Sequence, residues 1–311
     1  MASFSSLEDG LETAPGHLST KGRPKNLQLG TTGTDTVPFD GFMNGHRLCI
    51  HHLNCCVDST QDEAKRRLQD SASTIWESPC HFAVIADNQR NGRGTSGRSW
   101  VASPGNLFMT YCLPMDDVPM SKLTLVPLSI GVLVAEVFQT YVDMSSSVSV
   151  KWPNDVLVNQ KKVAGTLIEN CSVFNNKTYW LLIGIGVNLA SHPLQLPVET
   201  DALSPAREAT CLQEHMPAGS VVIPSAVAFG IDLSKRIQEL VVQGELGRGG
   251  NRSVTSRSVI QRWRSFARMG ENHVLRQTGE KVIVVDVEDD GQLRVLGEDG
   301  RERLLVSDYF V

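Results

Sequence analysis

Hydrophobic positions along this chain recur with two periods, and the alternation between them lays out the elements. Phe82, Val84 and Ala86 alternate with Ala83 and Ile85, all apolar, which predicts a strand buried on both faces. Similar short apolar runs predict strands at 48–54, 107–113, 148–150, 156–158, 163–168 and 180–188. Leu128, Val132, Ala135 and Phe138 fall at helical spacing within 123–144, and Phe229, Leu233, Ile237 and Leu240 within 226–242. Asp58-Ser59-Thr60 opens a further helix: Thr60 and Glu63 have capping-box spacing, and Asp62/Arg66 and Glu63/Arg67 stand at i,i+4. Asn159-Gln160-Lys161-Lys162 reads as a hairpin turn. Near the C-terminus an Arg-rich helix carries Val259, Trp263 and Phe266 on one face. Three short strands follow, near 281–287, 292–296 and 303–306, separated by Asp290-Gly291 and Asp299-Gly300 turns.

Antiparallel runs of strands with a few helices make an α+β protein and not a doubly wound sheet. Residues 1–40 are rich in Gly, Ser, Thr and Pro and read as a flexible leader, with organised structure expected from about Arg47. The reading divides the chain into 1–40, a main domain at 41–256 and a C-terminal piece at 257–311. The last is too small for a large core of its own and should pack on the main domain. The Gly/Arg/Ser-rich stretch 244–256 reads as a linker.

Composition narrows the function. The chain has 311 residues, 41% of them hydrophobic and 20% charged, as in an ordinary globular enzyme. A net charge of −5 gives no general basic field, so nucleic acid is not the expected partner. No apolar run is read as reaching the ~18 residues of a membrane span, so no membrane partner is expected. Glu8, Asp9 and Glu12 make the leader a poor transit peptide, and a cytoplasmic location is expected. Seven cysteines, without a C-x-x-C pair, read as reduced thiols, with Cys80, Cys112 and Cys171 as packing residues. His51, His52, Cys55 and Cys56 fit no zinc spacing, and no protein-ligated metal is expected.

The chemistry concentrates in two segments. Gly92-Arg93-Gly94-Thr95-Ser96-Gly97-Arg98-Ser99-Trp100 is a glycine-rich loop with fixed positive charge between two strands. Such a loop lets backbone approach a ligand and offers N–H groups and guanidinium forks to phosphate or carboxylate. It lacks the P-loop form. Lys151-Trp152-Pro153-Asn154-Asp155 then sets a cation, an aromatic for stacking, a rigid turn, an amide and a carboxylate in sequence. Lys162 and Gly165 follow across the hairpin, and Gly184-Ile185-Gly186-Val187-Asn188 closes a strand. Each alone has a plain structural explanation as a turn or a strand exit.

In order, Asp58-Ser59-Thr60-Gln61, Gln89, the 92–100 loop, Lys151–Asp155, Lys162-Val163-Ala164-Gly165 and Gly184–Asn188 resemble the biotin protein ligases, or holocarboxylase synthetases, over roughly 47–188. The resemblance implies a catalytic domain akin to class II aminoacyl-tRNA synthetases, with a mixed or antiparallel sheet, and a small C-terminal SH3-like β-barrel. It implies formation of biotinyl-5′-AMP from biotin and ATP, with Mg²⁺ bound through the nucleotide phosphates. Biotin then passes to a lysine of the carboxyl-carrier domain of a biotin-dependent carboxylase. The protein is expected to act as a monomer or weak dimer. By resemblance, Arg93, Lys162 and Asp155 are catalytic, Asp155 as proton acceptor for the incoming amine. Biotin binding falls to Ser59, Thr60, Gln61, Gln89, Gly92, Arg93, Gly94, Lys162, Gly165, Gly184 and Gly186. The nucleotide falls to Arg93, Arg98, Trp100, Lys151, Asn154, Asp155, Lys162 and Asn188.

Two positions depart from the family pattern. Thr95 stands where the loop usually has a second arginine, so that either the intermediate is held less firmly or Arg90 compensates, and Gln61 replaces an asparagine. The leader does not resemble the DNA-binding domain some members carry, so a repressor role is not expected. The alternatives are a lipoate–protein ligase, or a non-catalytic relative that binds adenylate.

Overall fold

The apolar runs do form strands. In the computed structural model, residues 35–43, 46–71, 81–173, 178–193, 208–220, 222–248, 252–275 and 278–306 are described. Their elements, in chain order, are β1 Asp35–Met43, β2 His46–Val57, α1 Thr60–Ser71, β3 His81–Gln89, β4 Leu107–Pro114, α2 Val126–Gln139, β5 Val148–Lys151, β6 Asp155–Val158, β7 Lys161–Val173, β8 Thr178–Val187, α3 Ala226–Val242, α4 Arg252–Phe266, β9 Asn272–Val274, β10 Lys281–Val287, β11 Leu293–Gly297 and β12 Glu302–Leu305. Eight strands make one mixed sheet in the order β1-β2-β3-β4-β8-β7-β6-β5. Only β2 and β3 pair in parallel. A parallel pair needs a crossover, and α1 lies in it.

Both faces of the sheet are covered, which explains the unbroken apolar character of β3. Phe82, Val84 and Ala86 pack on the side of α1 with Ala64 and Leu68. Ala83 and Ile85 pack on the other side, with Val132 and Phe138 of α2 and Phe229 of α3. The helical run 120–139 is long and apolar enough by length and composition to cross a membrane, contrary to the sequence reading. In this fold 72% of its most apolar 18-residue stretch is buried, so it serves as a core helix. Ser59, not Thr60, caps α1: its hydroxyl accepts the Gln61 N–H at 3.2 Å, because the first helical residue is Thr60. The Glu63 carboxylate therefore turns to Arg66 and Arg67 rather than closing a capping box. Asp62 reaches Arg93 instead of Arg66.

Two further expectations are corrected. Strand β1 lies partly within the stretch read as leader; its alternation is interrupted by Pro38 and Gly41, and its pairing with β2 supplies the order. Helix α4 begins at Arg252, inside the stretch read as linker. Residues 1–34 and Cys80 lie outside the described residues.

The C-terminal strands form a four-stranded antiparallel sheet, β12-β11-β10-β9. It shares a core with the larger sheet, as its size requires: Trp263, Val284, Leu293 and Val295 belong to the cluster that contains α2. Arg262 of α4 clasps Glu136 of α2 at 2.6 Å and Glu245 at 2.6 Å. The indole N–H of Trp152 donates to the Gly291 carbonyl at 3.0 Å, fastening the small sheet to the turn after β5.

Candidate active site

A bare strip crosses the sheet. Phe108 opposes Gly186, Gly186 opposes Gly165, Gly165 opposes Asp155, and Asp155 opposes Lys151. Directly opposed residues share a face, so these five form one row, on the α1 side with Ala86. In the next row Thr110, Gly184 and Leu167 lie side by side. With no side chains at 165, 184 and 186, the sheet has a glycine-floored trough.

Three side chains already press into that trough. A Cβ on Gly186 would sit 2.5 Å from Cε2 of Trp100, and one on Gly184 2.9 Å from Cδ of Gln61. One on Gly165 would meet Trp100 at 3.1 Å and the Lys162 amine at 3.2 Å. Glycine is required here for close approach. Gly94 differs: its nearest contact would be an ordinary 3.5 Å, so glycine is not sterically required there. Gln61 is held by its amide, which donates to the Leu167 carbonyl at 3.1 Å.

Lys162 reaches the trough through a bulge. Leu157 opposes Lys162 while the adjacent Val156 opposes Ala164, so β7 carries one extra residue, Val163. A bulge re-aims side chains. The preceding turn has positive φ at both Asn159 (48°) and Gln160 (69°), as a two-residue hairpin requires. The Lys162 Nζ lies 2.7 Å from Asp155 Oδ1 and 5.4 Å from the Trp100 ring centroid. Burial opposes ionisation of Asp155. The charges of Lys162, Lys151 and Arg98, with the hydrogen bond from Lys162, outweigh it and hold the carboxyl below the usual carboxylate value. A carboxylate so stabilised is a weak proton acceptor.

The 92–100 loop is ordered as a small hairpin. The Gly94 N–H donates to the Arg98 carbonyl at 2.7 Å and the Trp100 N–H to the Gly92 carbonyl at 2.8 Å. Gly97, at φ 75°, makes the turn. A Cβ at Gly92 would lie 2.5 Å from the Trp100 carbonyl and 2.6 Å from the Gln89 amide. Gln89 in turn accepts the Thr60 N–H at 3.4 Å, and the Thr60 hydroxyl accepts from Thr110 at 2.9 Å. Ser59, Thr60, Gln89 and Gly92 thus build the rim where α1 starts.

The cations are distributed differently from the expectation of one converging cluster. Lys162 and Arg93 lie over the same sheet face at opposite ends of the trough. Arg93 pairs with Asp62 at 2.7 Å and Glu169 at 3.2 Å, and these partners keep its guanidinium firmly charged. Arg98 folds back on its own loop, donating to the Thr95 carbonyl at 3.0 Å and to the Thr95 hydroxyl. Thr95 thus serves as a local partner of Arg98. Arg90 pairs with Asp58 at 3.2 Å on the exposed outside of the rim, so no compensation for the missing loop arginine is visible from it. Lys151 ends the row beyond Asp155.

Two of the residues expected at the nucleotide make framework contacts. Asn154 donates to the Thr166 carbonyl at 2.6 Å, and Asn188 to the Thr210 carbonyl at 3.0 Å. Trp152 is buried and fastens the small sheet, so the aromatic that borders the trough is Trp100. Sequence reasoning passed over Asp62 and Glu169, which hold Arg93, and Asn106, whose carbonyl accepts three successive N–H groups at 189–191. Nothing in a lone acidic residue signals such a role before its partner is placed.

This geometry can be set beside known proteins. Residues 53–188 match the model of the biotin/lipoate A/B protein ligase family. The bifunctional ligase/repressor BirA of Bacillus subtilis (strain 168) is 30% identical over 155 residues, 50% of this chain and 44% of that protein. The biotin–[acetyl-CoA-carboxylase] ligase of Paracoccus denitrificans is 34% identical over 149 residues, 48% of this chain and 58% of that protein. The chain thus spans about half the length of these curated relatives. The biotin protein ligase from Aquifex aeolicus, solved in complex with biotin and ATP, superposes with a TM-score of 0.59 at 25% identity, covering 85% of this chain and 97% of that one. The sequence match covers the elements that build the trough and the structural likeness extends to the C-terminal sheet, so over residues 53–188 the chain is similar to the biotin/lipoate A/B protein ligase family.

Proposed function

We propose that this chain is an ATP-dependent biotin–protein ligase, joining biotin to AMP and passing the biotinyl group to a lysine of a carboxyl-carrier domain. The observation that carries the reading is the glycine floor bordered by Trp100, Gln61 and the Lys162–Asp155 pair. A compact bicyclic acid needs a floor without side chains and an aromatic wall, and its carboxylate needs a cation. The Paracoccus relative, a biotin–[acetyl-CoA-carboxylase] ligase, and the Aquifex structure with biotin and ATP support the same substrates.

In the first half-reaction a carboxylate oxygen attacks the α-phosphorus while the bond to pyrophosphate breaks. Both partners are anionic, and Lys162, with Lys151 behind it, offsets the repulsion and the charge that develops. In the second half-reaction the acceptor amine attacks the acyl carbon and AMP leaves. We assign Asp155 to aiming Lys162, and not to general-base work: a carboxyl held below the usual carboxylate value is poorly matched to an amine near ~10.4. The amine therefore has to arrive neutral. Among the described residues no group of three or more His, Cys, Asp or Glu side chains is placed to hold a metal ion. A Mg²⁺ carried in on the nucleotide phosphates would neutralise part of their charge. The order β12-β11-β10-β9 supports reading the small sheet as an SH3-like barrel, and the mixed sheet supports a synthetase-like catalytic domain.

The test supplies purified protein with ATP and either biotin or lipoate and follows pyrophosphate release. Release with biotin, lost in Lys162→Ala, is expected. Release with lipoate alone, or with neither acid, overturns the reading.

A further inference from the structure

The bulge that delivers Lys162 lies beyond the end of its neighbouring strand. β8 pairs with β7 only as far as Ala164, opposite Val187. The main chain of Lys162 is met instead by the segment 208–210. Its N–H donates to the Glu208 carbonyl at 2.9 Å, and its carbonyl accepts the Thr210 N–H at 2.9 Å. Ala209 thus stands beside Lys162 as in a parallel ladder, on the edge that β6 does not take.

So short a stretch needs side chains to hold its register. Thr210 is fully buried, and its hydroxyl donates to Glu214 Oε2 at 2.6 Å. A hydroxyl has one proton, so His215 Nε2, 2.7 Å from the same oxygen, is the donor there. The Nδ1 of that neutral ring then accepts from the Asn159 amide at 3.4 Å, and the Asn159 side-chain carbonyl takes the Ser147 N–H at 2.9 Å. Burial pushes the His215 pKa down and favours the neutral ring that this order of protons needs. Glu214 also accepts from His192, just past β8, at 3.0 Å. The Thr210 hydroxyl, with His192 behind it, holds the Glu214 carboxyl below its ordinary value. The hydrogen bonds therefore run from the β6–β7 turn through Thr210 to the end of β8, the two flanks of the bulge. We propose that Thr210, keyed by Glu214 and His215, is a positioning residue for Lys162. It fixes the segment that holds the lysine's main chain, and so sets where the ammonium meets Asp155 and an incoming carboxylate. The catalytic consequence rests on the biotin reading; the placement of the lysine does not.

The test reads the lysine directly. The full chain without ligand is briefly treated with acetic anhydride, and labelling of Lys162 is measured by peptide mass against the exposed Lys281 of β10. Thermal melting verifies that each variant is folded at the labelling temperature. Thr210→Val keeps the shape but loses the hydroxyl, and its Lys162 should label about three- to tenfold faster as the hold of Asp155 loosens. His215→Leu cuts the same chain one link earlier and should raise labelling by a similar factor. Thr210→Ser, which keeps the hydroxyl, should stay within about twofold of the parent. In biotin-dependent pyrophosphate release, kcat of Thr210→Val should fall about fivefold or more, with KM for biotin within about threefold, because Gln61 and the glycine floor lie outside the network. Labelling of Lys162 at or below the parental rate in both Thr210→Val and His215→Leu, or Thr210→Ser labelling as fast as Thr210→Val, overturns the proposal. Labelling needs no substrate, so absence of pyrophosphate release from the parent would count against the biotin reading and leave the placement of Lys162 standing.

Discussion

Gly186→Ala is the sharpest probe of the trough. The added Cβ would lie 2.5 Å from Cε2, 2.8 Å from Cζ2 and 2.9 Å from Nε1 of Trp100, a whole edge of a rigid ring. Gly186 is not among the residues with positive φ, so the substitution adds no backbone strain and its effect is steric. The ring must retreat by about 1 Å, and overpacking of this kind costs about 1–3 kcal/mol. At ~1.4 kcal/mol per decade, acyl-adenylate formation should fall about five- to 150-fold. Gly184→Ala meets the end of the flexible Gln61 side chain at 2.9 Å, and Gly165→Ala the Lys162 amine at 3.2 Å and Trp100 at 3.1 Å, so both should lose less. The assay is biotin-dependent pyrophosphate release, with Trp fluorescence to report ring displacement and thermal melting to verify the fold. Gly186→Ala within twofold of the parent, with unchanged emission, would refute the picture of a ring seated on a glycine floor.

Lys162→Ala should lower adenylate formation by at least about 100-fold and destabilise the fold by ~3 kcal/mol by leaving Asp155 buried without its partner; adding Asp155→Asn should recover stability but not activity, which calorimetry and pyrophosphate release check together. The folded pKa of Asp155 lies below that of an ordinary aspartate, so its contribution is complete above the ordinary value and lost as pH falls through the depressed one; the melting-temperature gap between the parent and Asp155→Asn should be widest near neutrality and narrow below about pH 4. Gly131, within α2, has nothing within 4 Å of an added Cβ, so Gly131→Ala should stabilise by about 0.5–1 kcal/mol in thermal melts, without effect on catalysis. Trp152→Phe removes the indole donor to Gly291 and should cost about 1 kcal/mol in denaturant titration while leaving adenylate formation near normal.

Local patterns carried most of the fold into view. The two-sided burial of β3 and the bounds of α3 and β10 follow from periodicity, since side chains there meet what their spacing requires. What periodicity missed depended on a partner: β1 is ordered by β2, and the short β9 by β10. The α1 cap was displaced by one residue because Asp-Ser-Thr offers adjacent candidate caps, and only the start of the helix chooses between them. At the site, the glycines and Lys162 were legible as a family pattern, yet the pattern could not say where a guanidinium points. Arg93 and Arg98 look alike in the loop sequence, but Arg93 reaches Asp62 and Glu169 on two other elements while Arg98 also turns back to Thr95.

Lys162 shows why spacing alone could not assemble the trough. Lys162 and Gly165 are three residues apart, so a regular strand, with its period of two, would put them on opposite faces of the sheet. The extra residue Val163 absorbs the change of parity, its side chain fully buried in the core, and so one strand presents both the floor and the cation above it. Neighbouring β6 supplies Asp155 in the same row, which fixes the amine where the bulge delivers it. The order of construction is therefore register, then bulge, then ion pair, and the chemistry proposed for Lys162 depends on all three. A cation on an unbulged strand at this position would face the α2 side of the sheet, where the core leaves no room for a ligand.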